Sequence, residues 1–490
     1  MSEHAPPAAV AETHISVLVS IGDRVFKLKK PVAMGFLDFS TLEARRVACH
    51  REVELNRRLA PDVYLGVADI VGPDGRACDH LVVMRRMPAE RRLATLVTDG
   101  RDVDDHLRHI AHVVATFHAS APTSTAIAEA ASPEAVRGNW DASFEQLQPF
   151  VGPVLDGASC AHVEELVHRY LDGRLPLFRQ RMAGRRVRDG HGDLQAEDIF
   201  CLDDGPRILD CIEFDDRLRH CDVLADVAFL AMDLERLGSP EGARRFLELY
   251  RELSAETYPQ TLAHHYLAYR AHVRAKVACL RHDQGDAAAA PAATSLLELT
   301  LRHLEHGRVV AVAVGGLPGT GKSTLAAGIA DAKGWSVLRS DEVRKDLVGL
   351  GHAERAGSAF GEGIYRPELT EATYRTLLDR ARQALSLGEP VVLDASWTDA
   401  RWRGAVADLA RETTSDFVEL RCAAPADLAA MRMARRARAG GDPSDATPAV
   451  AAAMVSVADA WPSAVDIDTS GTPERSLEQA LAVLAGSTGG

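Results

Sequence analysis

Eight consecutive residues, Gly316-Leu317-Pro318-Gly319-Thr320-Gly321-Lys322-Ser323, have the types and spacing of a phosphate cradle. They satisfy G-x-x-x-x-G-K-[ST] in full. Glycines let such a loop curl until its backbone N–H groups point at one anion, and a helix N-terminus behind the loop adds its own field. Lys322 is placed to reach the β- and γ-phosphates, Ser323 to hold Mg²⁺, and Thr324 continues the loop into the helix. A loop of this kind binds a nucleoside triphosphate.

The loop needs a strand before it and a helix after it. Val309-Val310-Ala311-Val312-Ala313-Val314 is an apolar run fit for a buried strand, and Thr324–Ala330 reads as helix. Further strands are expected near 335–339, 390–394, 416–422 and 464–468, alternating with helices as a parallel α/β sheet requires. Ser340-Asp341-Glu342-Val343-Arg344 then falls at the carboxyl edge of the second strand, where ligands of such sheets bind. Asp341 and Arg344 can share one helix face, supplying a carboxylate to take a hydroxyl proton and a cation for a moving phosphoryl group. An N-cap aspartate beside an exposed arginine is the competing reading. Val391-Val392-Leu393-Asp394 has the form of a strand ending in a metal-shell aspartate. Arg432 and Arg435, with Arg436 and Arg438, precede Gly440-Gly441-Asp442-Pro443 and suit either a lid over the nucleotide or a solvated basic face.

These features together resemble the gluconate-kinase-like group of P-loop kinases over residues 309–485. The motifs carrying the likeness are the loop, Ser340-Asp341-x-x-Arg344, Val392-Leu393-Asp394, the arginine-rich segment and Ile467-Asp468-Thr469-Ser470. The resemblance implies ATP- and Mg²⁺-dependent phosphorylation of a small-molecule hydroxyl, with Asp341 as base and Arg344 on substrate or phosphate.

A second constellation lies far upstream. His191-Gly192-Asp193-Leu194-Gln195-Ala196-Glu197-Asp198 follows H-x-D-x-x-x-x-N with aspartate in the last place. Such a loop sets one carboxylate at an acceptor hydroxyl and a second oxygen ligand near a metal. Glu213, fifteen residues after Asp198, is the expected second metal ligand. Lys27 or Lys29, on the second strand of a hairpin over 14–30, is expected to pair with Glu52 on a helix over about 41–59, and Met84-Arg85-Arg86-Met87 would follow as a hinge. This order resembles the aminoglycoside phosphotransferase family of kinase-like folds over residues 14–280. It departs from that family at Asp198, at Glu213 and in lacking G-x-G-x-x-G before Lys27. Tyr269–Lys276 is basic at helical spacing and reads as a solvated face.

The chain has 490 residues, so more than one domain is expected. The predicted architecture is multidomain, α+β then α/β. Residues 1–12 form a disordered N-terminus and 13–282 an aminoglycoside phosphotransferase-like kinase domain. A linker and connecting helix at 283–307 lead to a P-loop kinase domain at 308–490. Only seven positions are lysine (27, 29, 30, 276, 322, 333 and 345), among 56 Lys+Arg. Lysine thus survives in few places, among them ones needing a compact ammonium. A formal charge of −14 argues against nucleic acid and anionic membranes as partners. The eight scattered cysteines and the start of the sequence fit a reduced cytoplasm. The expected partners are a small-molecule acceptor and an interdomain contact between the two kinase-like units. The predicted function is phosphotransfer from ATP to a sugar or aminocyclitol hydroxyl. The alternative is an ATP-binding regulatory protein whose N-terminal pseudokinase senses a ligand.

Overall fold

The computed structural model describes residues 9–13, 15–34, 37–352, 354, 361–439 and 448–487. Proximity along the backbone divides the chain into two compact units. The first comprises Met1–His162, Phe178–Tyr258 and Ala263–His303; the second comprises Val163–Leu177, Pro259–Leu262 and Leu304–Gly490. No described helix is long and apolar enough to cross a membrane.

The second unit is built on a five-stranded parallel sheet, in the order Ser336–Arg339, Val391–Asp394, Val310–Gly315, Asp416–Ala423, Val465–Asp468. The two central strands, Val310–Gly315 and Val391–Asp394, are buried along their whole lengths. That is why they read as unbroken apolar runs instead of alternating ones. Val312, Val314, Val392 and Leu420 pack against Leu325 and Ile329 of the helix Lys322–Lys333, and against Leu484 of Pro473–Ser487. Register sets Val314 opposite Asp394, so the strand that feeds the glycine loop lies beside the strand that ends in the aspartate.

Chain from well before the P-loop strand completes this unit. Arg174 is almost wholly buried, and its Nη1 donates to the carbonyls of Gly173 (2.9 Å) and Thr413 (2.5 Å). Its Nη2 donates to Ser415 Oγ at 3.1 Å. Burial without a facing carboxylate pulls its pKa down to about 10. Thr261 donates to the Gly388 carbonyl at 2.6 Å, and Arg169 pairs with Asp416 at 2.7 Å. The uninterrupted domain expected over 308–490 is therefore corrected: hydrogen bonds of segments distant in sequence make residues 163–177 and 259–262 part of it.

The first unit carries an antiparallel sheet, ordered Ala9–Glu12, Ser16–Ile21, Arg24–Lys29, Ala77–Arg85, Tyr64–Val71. Ala9–Glu12 was expected to be disordered; it pairs instead with Val17–Ser20. Helix Leu42–Asn56, capped by the Thr41 hydroxyl, covers the sheet with a partly polar face: Arg45, Glu52 and Asn56 are all buried. The helical part centres on Val223–Arg236, whose first twelve residues are buried. The segment 283–307, expected as linker and connecting helix, is mostly a helix, Ala289–His306. It buries Leu296, Leu297 and Leu299, because an amphipathic helix with such a stripe packs rather than tethers.

Two measurements check this packing. A Cβ on Gly173 would collide with the Thr413 carbonyl, backbone that has little room to move. Gly173→Ala is expected to cost roughly 1–3 kcal/mol in urea unfolding of the full chain, and an unchanged midpoint would contradict the docking of this segment. The second concerns His265, which accepts from Trp140 Nε1 at 3.3 Å, and His272, which lies 3.0 Å from Ser143 Oγ. Burial pushes both down to about 3. Unfolded, each takes its proton near pH 6.5, so both histidines remove stability as pH falls from about 6.5 toward 3. A His265→Phe/His272→Phe variant should lose less melting temperature than the parent between pH 7 and pH 5; equal losses would exclude this origin.

Candidate active site

The glycine loop stands at the end of the central strand Val310–Gly315. Gly316, Gly319 and Gly321 have φ of +139°, +84° and +92°, a region side chains rarely tolerate. Space excludes them too: a Cβ on Gly319 would meet the Ala429 backbone, and one on Gly316 would lie 2.8 Å from the Cys422 carbonyl oxygen. Thr320 Oγ1 donates to the Leu317 carbonyl at 2.8 Å, closing the curve. Helix Lys322–Lys333 starts at Gly321, so its unbonded N–H groups open toward the loop.

Two cavities adjoin this loop and share Lys322. One, of about 550 Å³, runs from Gly319, Ser323 and Thr324 past Arg432 and Arg435 to Thr469. The other, of about 360 Å³, is lined by Pro318, Asp341, Arg344, Tyr374 and Trp402 among others. Asp341 and Arg344, expected on one face, are joined there by an ion pair of 2.7 Å. Arg344 is buried with its guanidinium 5.0 Å from the centre of the Tyr365 ring. Tyr374 stacks on Trp402 with ring centroids 5.0 Å apart and bonds Ser396 Oγ at 3.2 Å. These aromatic residues form the second cavity's wall and carry no motif, so the sequence reading passed over them.

Asp394 is buried, and its Oδ1 has no hydrogen-bond partner among the described residues. Burial pushes its pKa up, against the pull of Lys322 and the Ser323 hydroxyl. A buried carboxylate oxygen left unsatisfied beside a hydroxyl of the cradle suits a hard divalent cation, so Ser323 and Asp394 fit Mg²⁺. Among the described residues, no group of three acidic, histidine or cysteine side chains converges to hold a metal unaided. Arg432 and Arg435 line the larger cavity. The side chains of Arg436 and Arg438, and all of Gly440-Gly441-Asp442-Pro443, lie outside the described residues.

In the first unit Asp226 is the organising group. Its carboxylate accepts the N–H groups of His191 (2.7 Å) and Gly192 (2.8 Å), and His118 Nε2 lies 3.0 Å away. Burial alone would raise its pKa, yet these bonds hold it far below the usual carboxylate range. His191 Nε2 bonds the Leu209 carbonyl at 3.1 Å, which fixes the ring. Asp193 accepts from Gln195 at 2.7 Å and is pushed up to about 6 by burial, with Arg274 and Arg270 opposing. Asp198 is raised well above its ordinary value by burial and by Asp210 and Asp193. Arg270, read from sequence as part of a solvated face, is buried and donates to the Ala225 (2.9 Å) and Gly192 (3.2 Å) carbonyls.

Two expected roles are corrected here. Glu213 does not stand with Asp198; it is buried in an ion pair with Lys29. Asp210 takes that place, with φ of +64°, bonded to Lys27 at 2.6 Å. Lys29 is wholly enclosed between Glu52 (2.7 Å) and Glu213, so the lysine that reaches the loop is Lys27, itself 2.9 Å from Glu52. Between the strands Ala9–Glu12 and Ser16–Ile21, the Thr13 N–H bonds the Ser16 carbonyl at 2.8 Å. Asp210 is thus engaged by Lys27, and Asp198 lies under the like charge of Asp210 and Asp193.

The second unit thus sets a glycine phosphate loop on a five-stranded parallel sheet. Residues 312–460 match the family described as "AAA domain". The "Uncharacterized protein Rv2004c" of Mycobacterium tuberculosis (strain ATCC 25618 / H37Rv) is 43% identical over 471 residues, 96% of this chain and 94% of that protein. The chain belongs to the family of Rv2004c. Among solved structures, a sugar kinase from Janibacter sp. HTCC2649 covers 36% of this chain and 94% of its own, at 21% identity and a TM-score of 0.27. A choline/ethanolamine kinase family protein from Mesorhizobium loti covers 61% and 91%, at 13% identity and a TM-score of 0.37.

Proposed function

We propose that the second unit transfers the γ-phosphoryl group of ATP to a hydroxyl of a small molecule such as a sugar or aminocyclitol. The observation that carries this reading is the position of Lys322, which borders both cavities. A triphosphate lying along the larger cavity has its last phosphate at the mouth of the smaller one, where Asp341 waits. The acceptor oxygen attacks the γ-phosphorus, the bond to the β-bridging oxygen breaks, and ADP leaves. Asp341 takes the hydroxyl proton, while Arg344, bonded to it at 2.7 Å, orients that carboxylate. Lys322 and the loop N–H groups stabilise charge on the transferring group. Mg²⁺ held through Ser323 and Asp394 would neutralise the β- and γ-oxygens. The smaller cavity, at about 360 Å³, suits an acceptor of sugar size, and its Tyr374–Trp402 stack offers an apolar wall against a ring.

The first unit supports a different role. The Lys27–Asp210 pair engages the lysine and a carboxylate of that site with each other, which favours ligand binding there over rapid transfer.

Phosphoryl transfer from ATP, followed against a panel of sugars and aminocyclitols, tests both assignments. Lys322→Ala and Asp341→Asn should each lower kcat roughly 100-fold or more, while Asp193→Ala should leave transfer within about threefold of the parent. Turnover unaffected by Lys322→Ala would sink the assignment. Loss with Asp193→Ala alone would move the reaction to the first unit.

A further inference from the structure

The P-loop is a backbone structure, so something must decide which way each of its peptides faces. At Thr320–Gly321 that agent is visible. The Thr469 hydroxyl lies 2.6 Å from the Thr320 carbonyl oxygen and 2.9 Å from that of Ala423. It has one proton, and the Thr320 oxygen is the nearer acceptor. In a trans peptide the C=O and the following N–H point in opposite directions. Tying the Thr320 carbonyl outward to Thr469 therefore turns the Gly321 N–H inward, toward the space a phosphate would fill.

Thr469 itself is firmly placed. It follows the strand Val465–Asp468, is buried, and its own N–H bonds the Ala423 carbonyl at 2.9 Å. A second observation points to a ligand at the same spot. The Thr469 carbonyl accepts from Arg432 Nη2 at 2.7 Å, while Nη1 of that guanidinium is buried with no partner among the described residues. That nitrogen lies 3.6 Å from where a Cβ of Gly321 would stand, on the wall of the larger cavity. One residue thus orients a loop peptide through its hydroxyl and an arginine through its carbonyl.

We propose that Thr469 is a positioning residue for the triphosphate: it fixes the Thr320–Gly321 peptide so that the Gly321 N–H faces the phosphates, and it presents Arg432 to the same anion before nucleotide arrives. This rests on the reading of the second unit as the nucleotide site. Thr469 acts through that peptide and through Arg432, away from the reacting atoms. Its effect belongs to ATP affinity and not to the chemical step.

The test is direct binding of ATP to the full chain, measured by calorimetry without acceptor, alongside KM and kcat for ATP. Thr469→Val keeps the shape and removes the donor, leaving the Thr320 carbonyl without its partner. It should weaken ATP binding and raise KM roughly tenfold or more, with kcat within about threefold and the nucleotide-free melting temperature little changed. Thr469→Ser restores a hydroxyl and should recover most of the affinity. Unchanged affinity in Thr469→Val, or a serine variant as weak as the valine one, would overturn the proposal. If Thr469→Val does not fold, Thr469→Ala against Thr469→Ser gives the same comparison. An unmodified protein that binds ATP but transfers nothing removes the phosphotransfer reading while leaving this test intact; one that binds no ATP overturns both.

Discussion

A phosphate cradle made of backbone has to be held open from outside, because its own N–H groups must stay free for the anion. Everything in the second unit answers to that constraint. The loop can curl only because three positions have no side chain, and two of them, Gly319 and Gly316, are pressed against Ala429 and Cys422 from neighbouring elements. Its base is the fully buried strand Val310–Gly315, fixed between two parallel neighbours by register. Asp394 reaches the site because its strand pairs beside that one, and Asp341 because the next strand ends at the same edge. The long-range hydrogen bonds from residues 163–177 and 259–262 secure the stretches that precede the strands Val391–Asp394 and Asp416–Ala423. Rigidity at the strands is what lets a strained loop keep one shape.

How much of this was legible in the sequence depended on how local each feature is. The glycine loop was fully legible, since its chemistry and its geometry occupy eight consecutive residues. Asp341 and Arg344 were legible as a helical i,i+3 pair, and their ion pair follows from that spacing. Thr469 was visible only as part of a late strand, because its role depends on contacts with Thr320 and Arg432, far away in sequence. The same holds for Arg174, an unremarkable arginine until it meets Thr413 and Ser415.

The errors in the first unit have a common cause. Lys27 and Lys29 share one face of a strand, because side chains alternate, so pattern alone could not separate them. Which one meets the loop was decided by Asp210, whose left-handed backbone turns its carboxylate onto Lys27 and leaves Glu213 to enter the buried cluster with Lys29 and Glu52. A left-handed aspartate inside an otherwise extended passage leaves no signature in the order of residues. Arg270 misled in the opposite way: a basic helix face is ordinarily solvated, yet here it satisfies the carbonyls of Gly192 and Ala225.

The two units solve one physical problem by opposite means. In the first, the buried carboxylate of Asp226 consumes the N–H groups of His191 and Gly192. That loop is fixed whether or not a ligand is present, and what it offers is the side chain of Asp193. In the second, the Thr469 hydroxyl holds a carbonyl, and the N–H on the other side of that peptide points the opposite way. A carboxylate could not replace Thr469, since it has no proton to donate to the Thr320 oxygen, and its charge would repel the phosphates it was meant to receive. A neutral donor behind the loop and a cation, Arg432, beside it are what an anion site can tolerate at that position. The choice of threonine is therefore dictated by the charge of the ligand, as the choice of aspartate behind His191 is dictated by two amide protons that need an acceptor.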